Sequence, residues 1–138
     1  MTTSDPSLIL QEAIRARLIA SEELLALVPP DNIRDATGRP EIMPAVYVGE
    51  GSTNFGRWNA TSQQTLHVWF QEPGLEKCKQ AVSAIVAALR MDAQVDGVLH
   101  LDGWDCHDLT VTLTRFMRDP HGSFSHGVIS AAGIMKVA

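Results

Sequence analysis

The chain has 138 residues, enough for one domain that buries roughly two thirds of the surface its unfolded form exposes. Hydrophobic residues make up 45% and charged residues 20%, which excludes an intrinsically disordered chain. The formal charge of −5, with no local basic cluster, excludes a broad electrostatic grip on nucleic acid.

Ser4-Asp5-Pro6 supplies a capping side chain and a proline suited to a first helical turn. Apolar residues then recur at Leu10, Ile14, Leu18, Leu25 and Val28, so one helix is expected as far as Pro29-Pro30. Its charged interruptions and the absence of a basic leader predict neither a signal peptide nor a membrane span. Asn32 to Asp35 and Pro44 to Gly49 read as a short and a longer strand around a turn-rich loop from Ala36 to Glu41.

Glu50 to Ser62 is rich in breakers, shows no period of either kind, and carries Phe55 and Trp58 between Arg57 and Asn59. The expectation is a long mobile hairpin loop, a kind of segment that is usually functional or partly disordered. Gln64 to Phe70 alternates Leu66, Val68 and Phe70 against Thr65, His67 and Trp69, as a half-buried strand does.

Leu75, Cys78, Val82, Ile85 and Leu89 fall at three-and-four spacing and predict a second helix, broken at Asp92 to Asp96. Val98 to Leu101 reads as a short strand and Asp102-Gly103 as a turn. Leu109 to Thr114 then alternates leucine and valine with threonine, turns at Arg118-Asp119-Pro120-His121-Gly122, and returns as His126-Gly127-Val128-Ile129. Asp, Pro and Gly in that order suit a type I turn, in which the Asp carboxylate accepts a nearby backbone N–H. The whole chain, residues 1–138, is expected to be a single α+β domain: a mostly antiparallel sheet with long β-hairpins and two helices packed on one face. In that arrangement Leu75, Val82, Ile85 and Leu89 face Leu66, Val68, Leu109, Val111 and Leu113.

No complete reaction site is legible. His100 to Asp108 is dense in ligand-type side chains, but Cys106 and His107 are adjacent and point to opposite faces of a strand. Cys78 lies in an apolar helical stripe, where a thiol acts as a small hydrophobe. The two cysteines have neither disulfide-framework nor zinc-knuckle spacing, so a reduced setting is expected. His121 and His126 read as structural histidines. No nucleotide, hydrolase or metalloprotease motif occurs. No catalytic residues, metal or cofactor are therefore expected; a small-molecule enzyme would have to draw on His67, His100 and His107. An oligomeric adaptor fits the same composition.

The tryptophans suggest contact instead, since Trp is enriched where proteins meet. Trp58 is the candidate anchor, and Trp69 needs either a second layer or a neighbouring subunit over its strand face.

The order of several segments carries a family resemblance: Glu23-Leu24-Leu25-Ala26-Leu27-Val28, Ile33-Arg34-Asp35, Pro44-Ala45-Val46-Tyr47-Val48-Gly49, Thr65-Leu66-His67-Val68-Trp69, the alanine-rich second helix, Leu101-Asp102-Gly103, and Arg118 to Gly122 leading to His126-Gly127-Val128. Over nearly its whole length the chain resembles the tail-completion or tail-terminator proteins of long-tailed bacteriophages and gene transfer agents. The resemblance implies a virion tail protein that assembles as a ring of six at the head-proximal end of the tail. There it would end tube polymerisation, meet the tail tube protein and a neck or head-completion protein, and let DNA pass through its lumen without specific binding; no membrane is involved. The chain departs from the family pattern at Glu50 to Ser62 and at Trp104 to Asp108. Phe55, Arg57, Trp58, Asn59, Trp69, Trp104, Arg118, Asp119 and His121 are the expected interface residues.

Overall fold

A computed structural model describes residues 5–91, 97–119 and 121–138. Helix α1 (Pro6–Ile19) opens where the Asp5 carboxylate accepts the Leu8 N–H at 3.0 Å, with Pro6 inside the first turn. Its buried stripe is Ile9, Leu10, Ile14 and Leu18. The single helix expected as far as Pro29 is in fact two. The Ser21 hydroxyl accepts the Leu24 N–H at 3.2 Å and caps a separate short helix, α2 (Glu22–Leu25), whose Leu24 is buried. A serine side chain that satisfies a free backbone donor lets the chain restart in a new direction.

Among the described residues six strands follow the order β1-β2-β3-β6-β5-β4, where β1 is Ile33–Arg34, β2 Ala45–Phe55, β3 Ala60–Gln71, β4 Leu99–His100, β5 Trp104–Asp119 and β6 Phe124–Val137. Of these neighbouring pairs only β1 and β2 run parallel. Helix α3 (Glu76–Leu89) lies with α1 on one face, burying Cys78, Val82, Ile85 and Leu89 as the spacing predicted, while Leu75 just before it is only partly buried. Its first turn is capped from a distance. The Glu72 carboxylate accepts the N–H groups of Lys77 and Cys78, each at 3.0 Å, and also the Ser125 hydroxyl at 2.8 Å. The expected breaker segment 92–96, residue Ser4 and the turn residue Pro120 lie outside the described residues.

The central strand β6 shows why both helices can approach so closely. A Cβ on Gly127 would stand 2.9 Å from Cys78 Sγ, and one on Gly133 would stand 2.8 Å from Leu10 Cδ2. Two glycines on the helix-facing side thus seat α3 and α1 directly on backbone.

Glu50 to Ser62 is not a loop. Glu50 to Phe55 pairs with Thr65 to Ala60 without interruption, leaving only Gly56 to Asn59 as the turn. The strand was hidden because its helix-facing side is polar. Buried Ser62 and Gln64 stand where apolar residues would mark a strand, with Gln64 Nε2 donating to Ser7 and Ser62 and the Thr53 and Ser62 hydroxyls 3.2 Å apart.

Leu113 also departs from expectation. It is 53% exposed, because the β5–β6 register shifts between Val111 and Leu113 and turns it to the face away from the helices. Leu109 remains buried, Val111 packs on the core, and after the bulge Phe116 takes over. The bulged Thr112 hydroxyl donates to the Ser130 carbonyl at 3.2 Å. Among the described residues no helix is long and apolar enough to cross a membrane.

Candidate assembly surfaces

The β2–β3 hairpin ends in a tight turn in which the Gly56 N–H donates to the Asn59 carbonyl at 2.7 Å. Trp58 is 78% exposed, more than any other large apolar side chain among the described residues, and Phe55 is 68% exposed. The Arg57 guanidinium lies over the Trp58 ring at 5.2 Å, so a cation and an aromatic share the tip. A paired arm carrying exposed aromatics can present them to a partner at little ordering cost.

The other expected tryptophans are placed differently. Trp104 is 7% exposed and belongs to the core, so its side chain offers almost nothing to a neighbour. Trp69 is 8% exposed on the face away from the helices, where the His126 ring stacks on it at 3.8 Å and 12°. The layer over that face comes from within the domain. The segment before β2 crosses the face, for Arg39 reaches Asp119 at 2.9 Å and lies 4.9 Å over the Phe124 ring, and Pro40 is buried.

At the β5–β6 tip, the Asp119 carboxylate accepts the His121 N–H at 2.9 Å, as the turn chemistry predicted. That bond first, with Arg39 adding to it, holds the Asp119 carboxyl below its ordinary range. Asp119 is thus committed within the subunit, whereas Arg118 and His121 are exposed.

His67 Nδ1 and His126 Nε2 are 2.8 Å apart, and Glu50 Oε1 lies 3.2 Å from His67 Nε2 without hydrogen-bond geometry. Sequence reading missed this cluster because its members lie on three strands; the outward parity of His67 and Trp69 was the available signal. Burial, reinforced by His67, pushes the His126 imidazole down to about 4.

Among the described residues, the histidines a small-molecule enzyme would draw on are not brought together. His100 and His107 lie at the far end of the sheet, roughly 20 Å along the strands from His67. His100 instead meets Asp105 at 2.9 Å, while Cys106 points into the core and His107 out. Burial raises the Cys106 thiol and pushes Cys78 up to about 11, leaving both as unreactive thiols. No group of three or more His, Cys, Asp or Glu side chains is placed to hold a metal among the described residues. A cleft of about 230 Å³ between β1, β2 and the segment before β2 is lined by Asn32, Arg34, Arg39 and Tyr47. Three of its polar side chains are already used: Asn32 donates to the Pro44 carbonyl, Arg34 to the Asp31 carbonyl, and Arg39 to Asp119.

No curated protein matches the chain. A chain of a solved structure described as the virion of a native gene transfer agent particle superposes with a TM-score of 0.78 at 19% identity, covering 96% of this chain and 99% of that one. That likeness shows a shared fold. Residues 12–134 match the family model of tail completion protein gp17; the chain belongs to that family and is a structural protein of the virion tail.

Proposed function

We infer that the protein closes the head-proximal end of a tail as a homo-oligomeric ring, six subunits by the family pattern. The ring ends polymerisation of the tail tube and joins it to the neck, while DNA passes through the lumen. It works by contact alone, without turnover, cofactor or metal. The observation that carries the reading is the paired arm ending in exposed Phe55 and Trp58, found in a member of the tail completion family.

Several features support it. A subunit of formal charge −5 repels a sliding phosphate backbone rather than gripping it. A ring contact is heterologous and needs two different patches on each subunit. The hairpin tip is one such patch, and Arg118 with His121 at the opposite end of the sheet is a candidate for contact with tube or neck. Sedimentation of the purified chain, alone and with tail-tube protein, tests the reading: a ring that binds the tube is expected.

A further inference from the structure

Both flanks of the sheet are left largely open among the described residues. β1 pairs with β2 only at Val46 and Tyr47, and β4 pairs with β5 only at Cys106 and Asp105. Past these short caps, Glu50 to Phe55 on one flank and Thr110 to Asp119 on the other have no strand alongside. Soluble proteins cover or charge such edges, because a row of unpaired N–H and C=O groups is a template for another strand.

The two open edges are unlike in charge. β5 presents Arg115 and Arg118, both exposed and without an ion pair among the described residues, and its one acid here, Asp119, is taken by Arg39. β2 presents Glu50, whose side chain is 51% exposed, and the Asp35 carboxylate lies beside Gly49 on the same edge. Exposed Leu113 and Phe55 give each edge an apolar side chain as well.

We propose that the open edge of β5 in one copy of this chain pairs antiparallel with the open edge of β2 in the next, Arg115 meeting Glu50. This rests on the ring reading above. The direction follows from topology: three antiparallel steps separate β2 from β5, so a sheet continued in the same order meets β2 antiparallel to β5. The faces agree as well. Glu50 pairs with Thr65, Thr65 with Ser130 and Ser130 with Leu113, which places Glu50 and Leu113 on one face; Arg115, two residues on, shares it. A slide of four residues toward the β5 tip, about 13 Å, sets Glu50 opposite Met117 and diagonal to Arg115. The same slide carries the second copy's β1, which pairs at Val46 and Tyr47, to the last residue of β5. In a closed ring such a stagger is taken up by strands tilted from the axis.

The test is the charge swap in the full chain, Glu50→Arg and Arg115→Glu, singly and together. Self-association is followed by sedimentation with and without tail-tube protein, and amide hydrogen exchange is read over residues 51–55 and 110–114. Each single reversal is expected to weaken association by about tenfold or more, with an unchanged thermal midpoint. The double reversal is expected to restore it, and both stretches should gain protection on assembly. Wild-type rings that tolerate both single reversals, or that leave those amides unprotected, overturn edge pairing while the ring reading stands. Single reversals that weaken association without rescue by the double variant overturn the Arg115–Glu50 match. A wild type that stays monomeric with tube protein overturns both.

Discussion

His67 Nδ1 lies 2.8 Å from His126 Nε2, so one imidazole must donate and the other accept, and the His126 ring is stacked against buried Trp69. That geometry needs at least one of the two rings neutral, and burial makes His126 that ring. Its imidazole sits at about 4, against an ordinary 6.5, through burial first and the His67 charge second, with Asp119 and Glu50 opposing. Because the folded value is depressed, the unfolded chain binds more protons between the two values. This contribution to stability is complete above pH 6.5 and is lost as pH falls toward 4. The thermal midpoint of wild type should fall over that window, and a His126→Gln variant should show a flatter profile. Parallel profiles would contradict the role given to His126.

Ile85→Ala and Leu89→Ala remove side chains with no exposed surface between α3 and the sheet, and each should cost about 2–5 kcal/mol in denaturant unfolding. Leu113→Ala, on the exposed side of the bulge, should cost less than about 0.5 kcal/mol. Equal losses at Leu113 and Leu89 would mean that the bulge is misplaced.

Gly127→Ala should destabilise by about 1–3 kcal/mol, because the new methyl meets Cys78 Sγ at 2.9 Å and Val82 Cγ2 at 3.0 Å. Cys78→Ala in the same chain should recover part of the loss, which denaturant midpoints of the single and double variants would show.

Much of the fold was legible because its helices and central strands follow simple periods. The α3 stripe from Cys78 to Leu89, the alternation of Leu66, Val68 and Phe70, and the long final hairpin all stand where their spacing put them. Three features were not legible, each for a physical reason. Ser62 and Gln64 are core-facing polar residues, with Gln64 Nε2 donating to Ser7 and to Ser62, so no apolar alternation marks the β2–β3 arm. The bulge at Thr112 reverses the parity of Leu113 without any glycine to announce it. Trp104 is in the core and Trp69 lies under a cover supplied from its own chain, which no local pattern encodes. Of the surface, the exposure of Phe55 and Trp58 was legible from the breaker-rich stretch around them, whereas the His67–His126 pair requires the β3–β6 register.

Trp58→Ala separates assembly from folding most cleanly. The side chain is 78% exposed, so the melting temperature of the free subunit should stay within about 1 °C of wild type, as expected for a surface site. Association should weaken by more than about 1 kcal/mol, roughly fivefold or more, if the tip anchors a neighbour.

Sedimentation of the wild-type chain with and without tail-tube protein is the most direct measurement. The expected result is a closed ring of about six copies that co-sediments with tube ends, since a heterologous contact that closes by rotation gives a discrete species. A chain that remains strictly monomeric at all concentrations and ignores the tube would contradict it.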